Sequence, residues 1–284
     1  MKILVTGGAG FIGSNLIRRL LSDGHAVCSV DNYSTGSVAN EVPGCNYYHC
    51  DLTDISTIAD RDFAVIFHLA ALARIQPSFT HPSETFRSNV VGTEAVLEFA
   101  RSIGASIVYA GSSSRWHDPK QSPYAMSKYL GEELCKMYRQ SLGCKVQIAR
   151  FYNVYGPGEI VDGDYSTVIG IWRMQIRDGE PITIVGDGEQ RRDFTHVDDI
   201  VDGLCRIMVA SEYHEDAWEL GTGVNYSINE LYTMFQERFN CRRVNVPDLP
   251  GNYRVTLREH GDALEKLGWA PVDRLRTYIN GLKD

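Results

Sequence analysis

A glycine-rich turn stands where the first apolar run of this chain ends. Lys2-Ile-Leu-Val-Thr6 reads as a short buried strand, and Gly8-Ala-Gly10-Phe-Ile-Gly13 follows it and opens a helical pattern over Gly13–Asp23. Glycine permits the tight turn, lets backbone come close to a pyrophosphate, and lets the helix pack on the strand. The helix N-terminus adds unpaired N–H groups and a partial positive charge. The turn alone is a weak signal, because glycine-rich turns also occur where nothing binds. Here it has its strand, its helix and an acid, Asp31, at the end of a second strand. A carboxylate there can accept from both ribose hydroxyls and repels a 2′-phosphate, which favours NAD over NADP.

The same unit recurs. Strand-like runs at Ala26–Asp31, Asn46–Cys50, Ala64–Leu69, Ser106–Gly111 and Lys145–Phe151 alternate with helical patterns at Glu84–Ile103 and Tyr124–Leu142. Most of the strands are nearly continuous apolar runs, as parallel strands covered on both faces require. The expected fold is therefore α/β: a Rossmann-type doubly wound parallel sheet. After Phe151 the texture changes to turns such as Gly156-Pro-Gly158, Gly186-Asp-Gly188 and Gly221-Thr-Gly223. We expect a dinucleotide-binding domain over 1–152 and, over 153–284, mainly a smaller, loop-rich α/β substrate lobe, with 182–210 shared between them.

Composition narrows the partners. With 28 Lys and Arg against 36 Asp and Glu the formal charge is −8, and Cys241-Arg-Arg243 is the densest basic spot, so nucleic acid is not an expected partner. Seven scattered cysteines without a C-x-x-C pair suggest neither zinc nor a disulfide framework, and no metal site is expected. Free thiols and the lack of a long apolar run point to a cytoplasmic protein with no membrane association.

The stretch Gly111-Ser-Ser-Ser-Arg-Trp-His-Asp-Pro-Lys-Gln-Ser-Pro-Tyr-Ala-Met-Ser-Lys128 carries the candidate chemistry. Tyr124 and Lys128 are four apart on a helix and share a face. A free tyrosine titrates near ~10 and is a poor base at neutral pH. A nearby ammonium and a positive nicotinamide would stabilise the phenolate and make it usable. Ser114, at a strand end, could bond the reacting oxygen. Asp51, closing the third strand, reads either as an adenine contact or as a helix N-cap. His68 reads better as a satisfied core histidine than as a catalyst.

Thr6-Gly-Gly-Ala-Gly-Phe-Ile-Gly13, Asp31, His68-Leu-Ala-Ala71, Ser112-Ser-Ser114, Tyr124-x-x-x-Lys128, Arg150-Phe-Tyr-Asn-Val-Tyr-Gly-Pro157 and Arg192-Asp-Phe-Thr-His-Val197 occur in order. Together they resemble the extended short-chain dehydrogenases/reductases of the NAD-dependent sugar epimerase/dehydratase family, and most of all its UDP-glucose and UDP-N-acetylglucosamine 4-epimerases. The resemblance implies Ser114, Tyr124 and Lys128 as catalytic residues. It implies cofactor contacts at Gly7, Gly10, Phe11, Ile12, Gly13, Asp31, Asn32, Ser34, Gly36, Asp51 and Leu52. Further cofactor contacts follow at Leu69, Ala70, Ala71, Asn89, Ser112 and Tyr152, besides Tyr124 and Lys128. Asn153, Arg192 and Thr256 would bind the nucleotide-sugar substrate. The implied reaction takes hydrogen from carbon 4 and returns it to the opposite face of a 4-keto sugar, with NAD retained. The helices that begin near Glu84 and Tyr124 would pair across a two-fold axis in a homodimer, using positions such as Val91, Val96, Leu97, Leu130, Leu134 and Met137, which could equally be core.

Departures from the family pattern are specific. Dehydratases carry an acidic pair after the strand-end hydroxyl, where this chain has Arg115 and Trp116, and decarboxylases usually have an acid there too. Only nine residues, 115–123, separate Ser114 from Tyr124, so part of the usual pocket wall is missing. The second diphosphate arginine falls on Leu249, leaving Arg254, Arg242 or Arg243 to compensate. Thr256 aligns with a gate residue and is small, which leaves space for an N-acetyl group. The rival readings are another reaction on a nucleotide sugar (decarboxylation, dehydration or GDP-sugar epimerisation), and an idle NAD-binding sensor.

Overall fold

The computed structural model describes residues 1–283. Six strands form at the predicted places: β1 (Lys2–Thr6), β2 (Ala26–Asp31), β3 (Asn46–His49), β4 (Val65–His68), β5 (Ser106–Ser112) and β6 (Val146–Phe151). A seventh, Trp218–Leu220, extends β6 at the sheet edge and is too short to have shown a period in the sequence. All pairings in this sheet are parallel, in the order Trp218–Leu220, β6, β5, β4, β1, β2, β3. The chain winds outward from β1 to β3 and then returns to the other side of β1. Strand order thus reverses between β1 and β4, and the strand ends part there to leave a crevice. The doubly wound parallel sheet is the fold.

Alternation within β1 shows why its residues are apolar throughout. Ile3 and Val5 join a buried cluster with Leu16, Ile17 and Leu20 of the helix Phe11–Ser22 and with Ile200 and Leu204 of the helix Val197–Val209. Leu4 points the other way, into a cluster with Ile66, Val96, Leu97 and Phe99. Each face has its own core, so no strand position in the middle of the sheet meets water.

The second half is more regular than its glycines and prolines suggest. Helices Val168–Arg177, Val197–Val209 and Ile228–Phe239 form there, and Ile182–Val185 pairs in parallel with Arg243–Val246. A third apolar cluster gathers around Trp172, Ile182, Ile184, Leu231 and Phe235. The helix Val197–Val209 and the strand Trp218–Leu220 belong instead to the main sheet. The helical run expected over Glu84–Ile103 begins at Pro82 and contains a wide π-type turn at Arg87–Val91. That turn swings the buried Asn89 inward, where its amide donates to Leu72 O and Ser127 Oγ and accepts from Leu72 N–H.

An ionic cluster clamps the carboxyl end of the sheet. Arg150 on β6 is 1% exposed and donates through Nε and Nη2 to Glu132, at 3.1 and 2.8 Å to Oε2. Its Nη1 lies 2.9 Å from Glu219 Oε1 and 2.7 Å from Asp216 Oδ2. Burial opposes the guanidinium charge, but these carboxylates outweigh it and raise its pKa above the ordinary value. Glu132 sits on the helix Pro123–Leu142 and Glu219 on the edge strand, so one side chain ties three elements together. Arg150→Met should cost about 3–5 kcal/mol, because two buried carboxylates then lose their counter-charge. Urea unfolding at pH 7 measures it, and a loss below about 1 kcal/mol would contradict the clamp.

Candidate active site

A cleft of about 640 Å³ runs along the strand ends between the sheet and the elements built on the third apolar cluster. Its floor is the glycine turn. Gly7 adopts φ +76, and a Cβ there would lie 2.9 Å from the Ala70 backbone. A Cβ on Gly13 would lie 2.1 Å from Gly7 O, so the turn closes only with glycine. The helix Phe11–Ser22 starts at Gly10 with no side-chain cap, so its first N–H groups face the cleft unclaimed by a side chain. This cradle, which any side chain would fill, fits a dinucleotide pyrophosphate.

Asp31 ends β2 beside the turn. It accepts from Ala9 N–H at 2.9 Å through Oδ2 and from Tyr33 N–H at 2.8 Å through Oδ1. Each oxygen keeps a second lone pair, and the residue lines the cleft. Asp51 caps the short turn Leu52–Thr57, accepting from Thr53 N–H and Oγ1 and from Asn32 Nδ2, and lines the cleft as well. Its N-cap reading is thus seen, and its place on the wall leaves it able to face a cofactor. Phe11, Ile12, Asn32, Ser34, Gly36, Leu52, Leu69, Ala70 and Ala71 complete this part of the wall.

Two residues of the expected cofactor set lie off the wall. Asn89 is spent on the Leu72 loop and Ser127. Tyr152 is buried with its hydroxyl on Glu219 and the Trp116 indole, so only its backbone could reach a cofactor. Neither contact with those partners can be foreseen from sequence, because each partner is distant along the chain.

The helix Pro123–Leu142 carries Tyr124 and Lys128 to the middle of the cleft. Ser122 caps it by accepting from Ala125 N–H, Pro123 occupies its first position, and Tyr124 N–H donates to Ser78 Oγ. Lys128 donates from Nζ to Ala110 O at 2.9 Å and is buried. Tyr124 OH lies 3.4 Å from Ser112 Oγ, which also accepts from Ser114 N–H. The Ser114 hydroxyl is buried, faces the cleft and has no hydrogen-bond partner.

The electrostatics correct one expectation. Burial raises the Tyr124 phenol above its ordinary value, with the Ser112 hydrogen bond and the Arg74 charge only opposing it. Burial likewise lowers Lys128 to about 8, against the attraction of Glu132. Desolvation acts on both groups more strongly than either acts on the other, so by themselves they do not make a phenolate.

The far wall contains Asn153, Arg192, Leu249 and Thr256. Asn153 donates through Nδ2 to Asp193 O and Thr256 Oγ1, which fixes it as a loop tie and leaves its carbonyl oxygen for a ligand. Arg192 donates to Arg191 O and Asn252 Oδ1 and pairs with no carboxylate among the described residues. Burial lowers its pKa to about 10, although Tyr253 nearby works against the shift. The three substitutes for the missing arginine fail. Arg254 is held bidentately by Asp187, Arg243 lies on Tyr232 and Asn229, and none of Arg254, Arg242 and Arg243 lines the cleft. A different guanidinium is there. Arg74, missed in the sequence, lines the cleft, donates to the carbonyls of Tyr165 and Ser166, and acts on Tyr124.

The residues 3–221 match the model of the NAD dependent epimerase/dehydratase family. The chain belongs to that family. It is 34% identical to a UDP-glucose 4-epimerase of Mycolicibacterium smegmatis, over 95% of this chain and 94% of that one. It is also 31% identical to UDP-glucuronic acid decarboxylase 4 of Arabidopsis thaliana, over 97% of this chain and 66% of that longer one. The solved structure of a UDP-glucose 4-epimerase from Thermus thermophilus, in complex with NAD, superposes with a TM-score of 0.89 at 28% identity. That match covers 99% of this chain and 97% of the other. The protein is an enzyme of an NAD-dependent family and NAD is its cofactor.

His68 is the core residue that its sequence position suggested. Its ring nitrogens meet the hydroxyls of Thr6 at 2.8 Å and Thr93 at 2.9 Å. Burial, with Lys128 beside it, lowers its pKa from 6.5 to about 3. The unfolded chain binds a proton at this residue before the folded one does. Its contribution to stability is therefore complete above pH 6.5 and is lost as pH falls from 6.5 toward 3. His68→Gln should remove on the order of 2 kcal/mol of that acid dependence, read from urea unfolding at neutral and acid pH. Parallel pH profiles for variant and wild type would contradict it.

Proposed function

We propose that the enzyme is a nucleotide-sugar 4-epimerase, acting on a UDP-hexose or UDP-N-acetylhexosamine through a transient 4-keto sugar. The observation that carries this reading is that Ser114, Tyr124 and Lys128 line the same cleft as the glycine cradle and Arg192. When bound, NAD supplies reversible hydride acceptance. The protein has to place a base at the sugar alcohol and exclude other chemistry. Tyr124 is the base for the 4-hydroxyl proton, and it ionises once a further positive charge joins Arg74 beside it, as an oxidised nicotinamide would. Ser114 offers its unpartnered hydroxyl to the same sugar oxygen. Lys128 holds the cofactor side of the cleft. Arg192 takes the diphosphate, and Arg74 is the second guanidinium in place of Leu249.

Elimination and decarboxylation are less well served. Arg115 pairs with Glu133 at 2.7 Å, Trp116 points to Tyr152 and Glu219, and neither lines the cleft. The segment 115–123 puts no carboxylate on the wall next to Ser114; the carboxylates that line the cleft are Asp31, Asp51 and Asp164. Tyr124→Phe should lower kcat by about 10²–10⁴-fold with bound NAD unchanged. A binding protein that merely senses NAD would show the same response to ligand with either side chain.

Thr256 is buried, small and on the cleft wall, which supports acceptance of a 2-N-acetyl group. Thr256→Tyr should lower activity on UDP-GlcNAc about 10-fold or more relative to UDP-Glc, with Thr256→Val as the control of similar size. An unchanged ratio would remove the gate.

For assembly, Val96 and Leu97 are core within the subunit, whereas Val91 and Met137 are exposed on the same pair of helices. We propose a homodimer across that face and a reducing, cytoplasmic setting. All seven cysteines are free. No described helix is long and apolar enough to cross a membrane.

A further inference from the structure

We propose that Tyr253 is a sugar-binding residue whose hydroxyl, paired with that of Ser114, selects the hydroxyl pattern of the hexose. This deepens the nucleotide-sugar reading and rests on it. Tyr253 is 8% exposed and lines the cleft, and its buried hydroxyl lies near those of Ser114 and Ser122 without a well-aligned hydrogen bond to either. Ser114 Oγ is in the same condition on the same wall. A buried hydroxyl without a partner is unfavourable unless a ligand or water completes it. Two such groups, each able to donate and accept, match a carbohydrate hydroxyl, which does both.

The ring is held so that the hydroxyl cannot turn away to solvent. His117, just past the turn Ser113–Trp116, stacks on Tyr253 with centroids 4.0 Å apart and planes within 7°. On the other side the segment before Tyr253 is pinned. Gly251 has φ +72, and a Cβ there would lie 2.9 Å from Ile75 Cγ2 and 3.2 Å from Gln121 O. Gln76 Nε2 donates to Pro250 O at 2.9 Å, and Asn252 Oδ1 accepts from Arg192. The nine-residue link 115–123 thus supplies, through His117, the ring against which a tyrosine from a distant part of the chain is held.

The chemistry of Tyr253 differs from that of Tyr124. Burial, Tyr124 beside it and the hydroxyls of Ser114 and Ser122 all act on the phenol, along with Arg192, and the balance pushes it up to about 12. It stays protonated at neutral pH and serves as a neutral donor that positions the ring. A phenylalanine would preserve the stack on His117, so the stack does not account for the hydroxyl.

The test uses the NAD-loaded enzyme and Tyr253→Phe. Calorimetry gives the affinity for UDP and for UDP-Glc, and kinetics compare UDP-Glc with its 3-deoxy and 6-deoxy analogues. The expected result is unchanged thermal midpoint, NAD content and UDP affinity. The affinity advantage of UDP-Glc over UDP should fall about 10-fold, and discrimination against one deoxy analogue should vanish. An unchanged advantage, or equal weakening of UDP and UDP-Glc, overturns the proposal. Interconversion by the wild type reads out separately. A sugar-dependent loss in a protein that does not invert carbon 4 would refute the epimerase reading and leave Tyr253 as a sugar contact.

Discussion

The buried guanidinium of Arg150 is the constraint on which the site depends. It reaches Glu132 from below the Tyr124 helix and Glu219 from the edge strand, and Glu132 Oε1 in turn lies 3.5 Å from Ser112 N–H. The strand end with the serines and the helix with Tyr124 and Lys128 are therefore registered against one another through a single charge. Such a cluster is an uncertain source of net stability, since each ion must lose its water. What it does supply is geometry, because every partner is needed to satisfy the others. The same cluster draws Tyr152 and Trp116 onto Glu219, away from the cleft. The residues directly after Ser114, Arg115 and Trp116, bring no acid to the cleft wall.

A second constraint is desolvation. The cleft removes water from Tyr124, Lys128 and Arg192, and each is pushed toward its neutral form. A site of this kind is poised to answer charges that a ligand brings. A diphosphate would stabilise the charge that Arg192 still carries at neutral pH, and an oxidised cofactor would favour the Tyr124 phenolate. The hydroxyls of Ser114, Tyr253 and Tyr155, each on a residue that lines the cleft, are left without a well-aligned partner.

Much of this could be read from the sequence, and the limits have physical reasons. The glycine turn, Asp31 and the Tyr124/Lys128 pair are local, because a turn or a helical face is set by residues close in the chain. The sheet strands were likewise legible as apolar runs. The second half was not. Its helices Val168–Arg177 and Ile228–Phe239 lie between glycine-rich turns whose punctuation dominates the pattern. Arg74 and Tyr253 escaped because nothing near either residue marks it; their partners are carbonyls at 165 and 166 and a ring at 117. Asn89 and Tyr152 illustrate the converse, where the family resemblance implies a contact and a distant partner claims the side chain.

The most direct measurement of the central claim follows the hydrogen at carbon 4. UDP-hexose deuterated there is incubated with the enzyme, and product is analysed for configuration and label. The account requires inverted carbon 4 with deuterium retained and no net NADH. Solvent hydrogen at that carbon, accumulation of reduced cofactor, or a product lacking the carbon 6 substituent would contradict it.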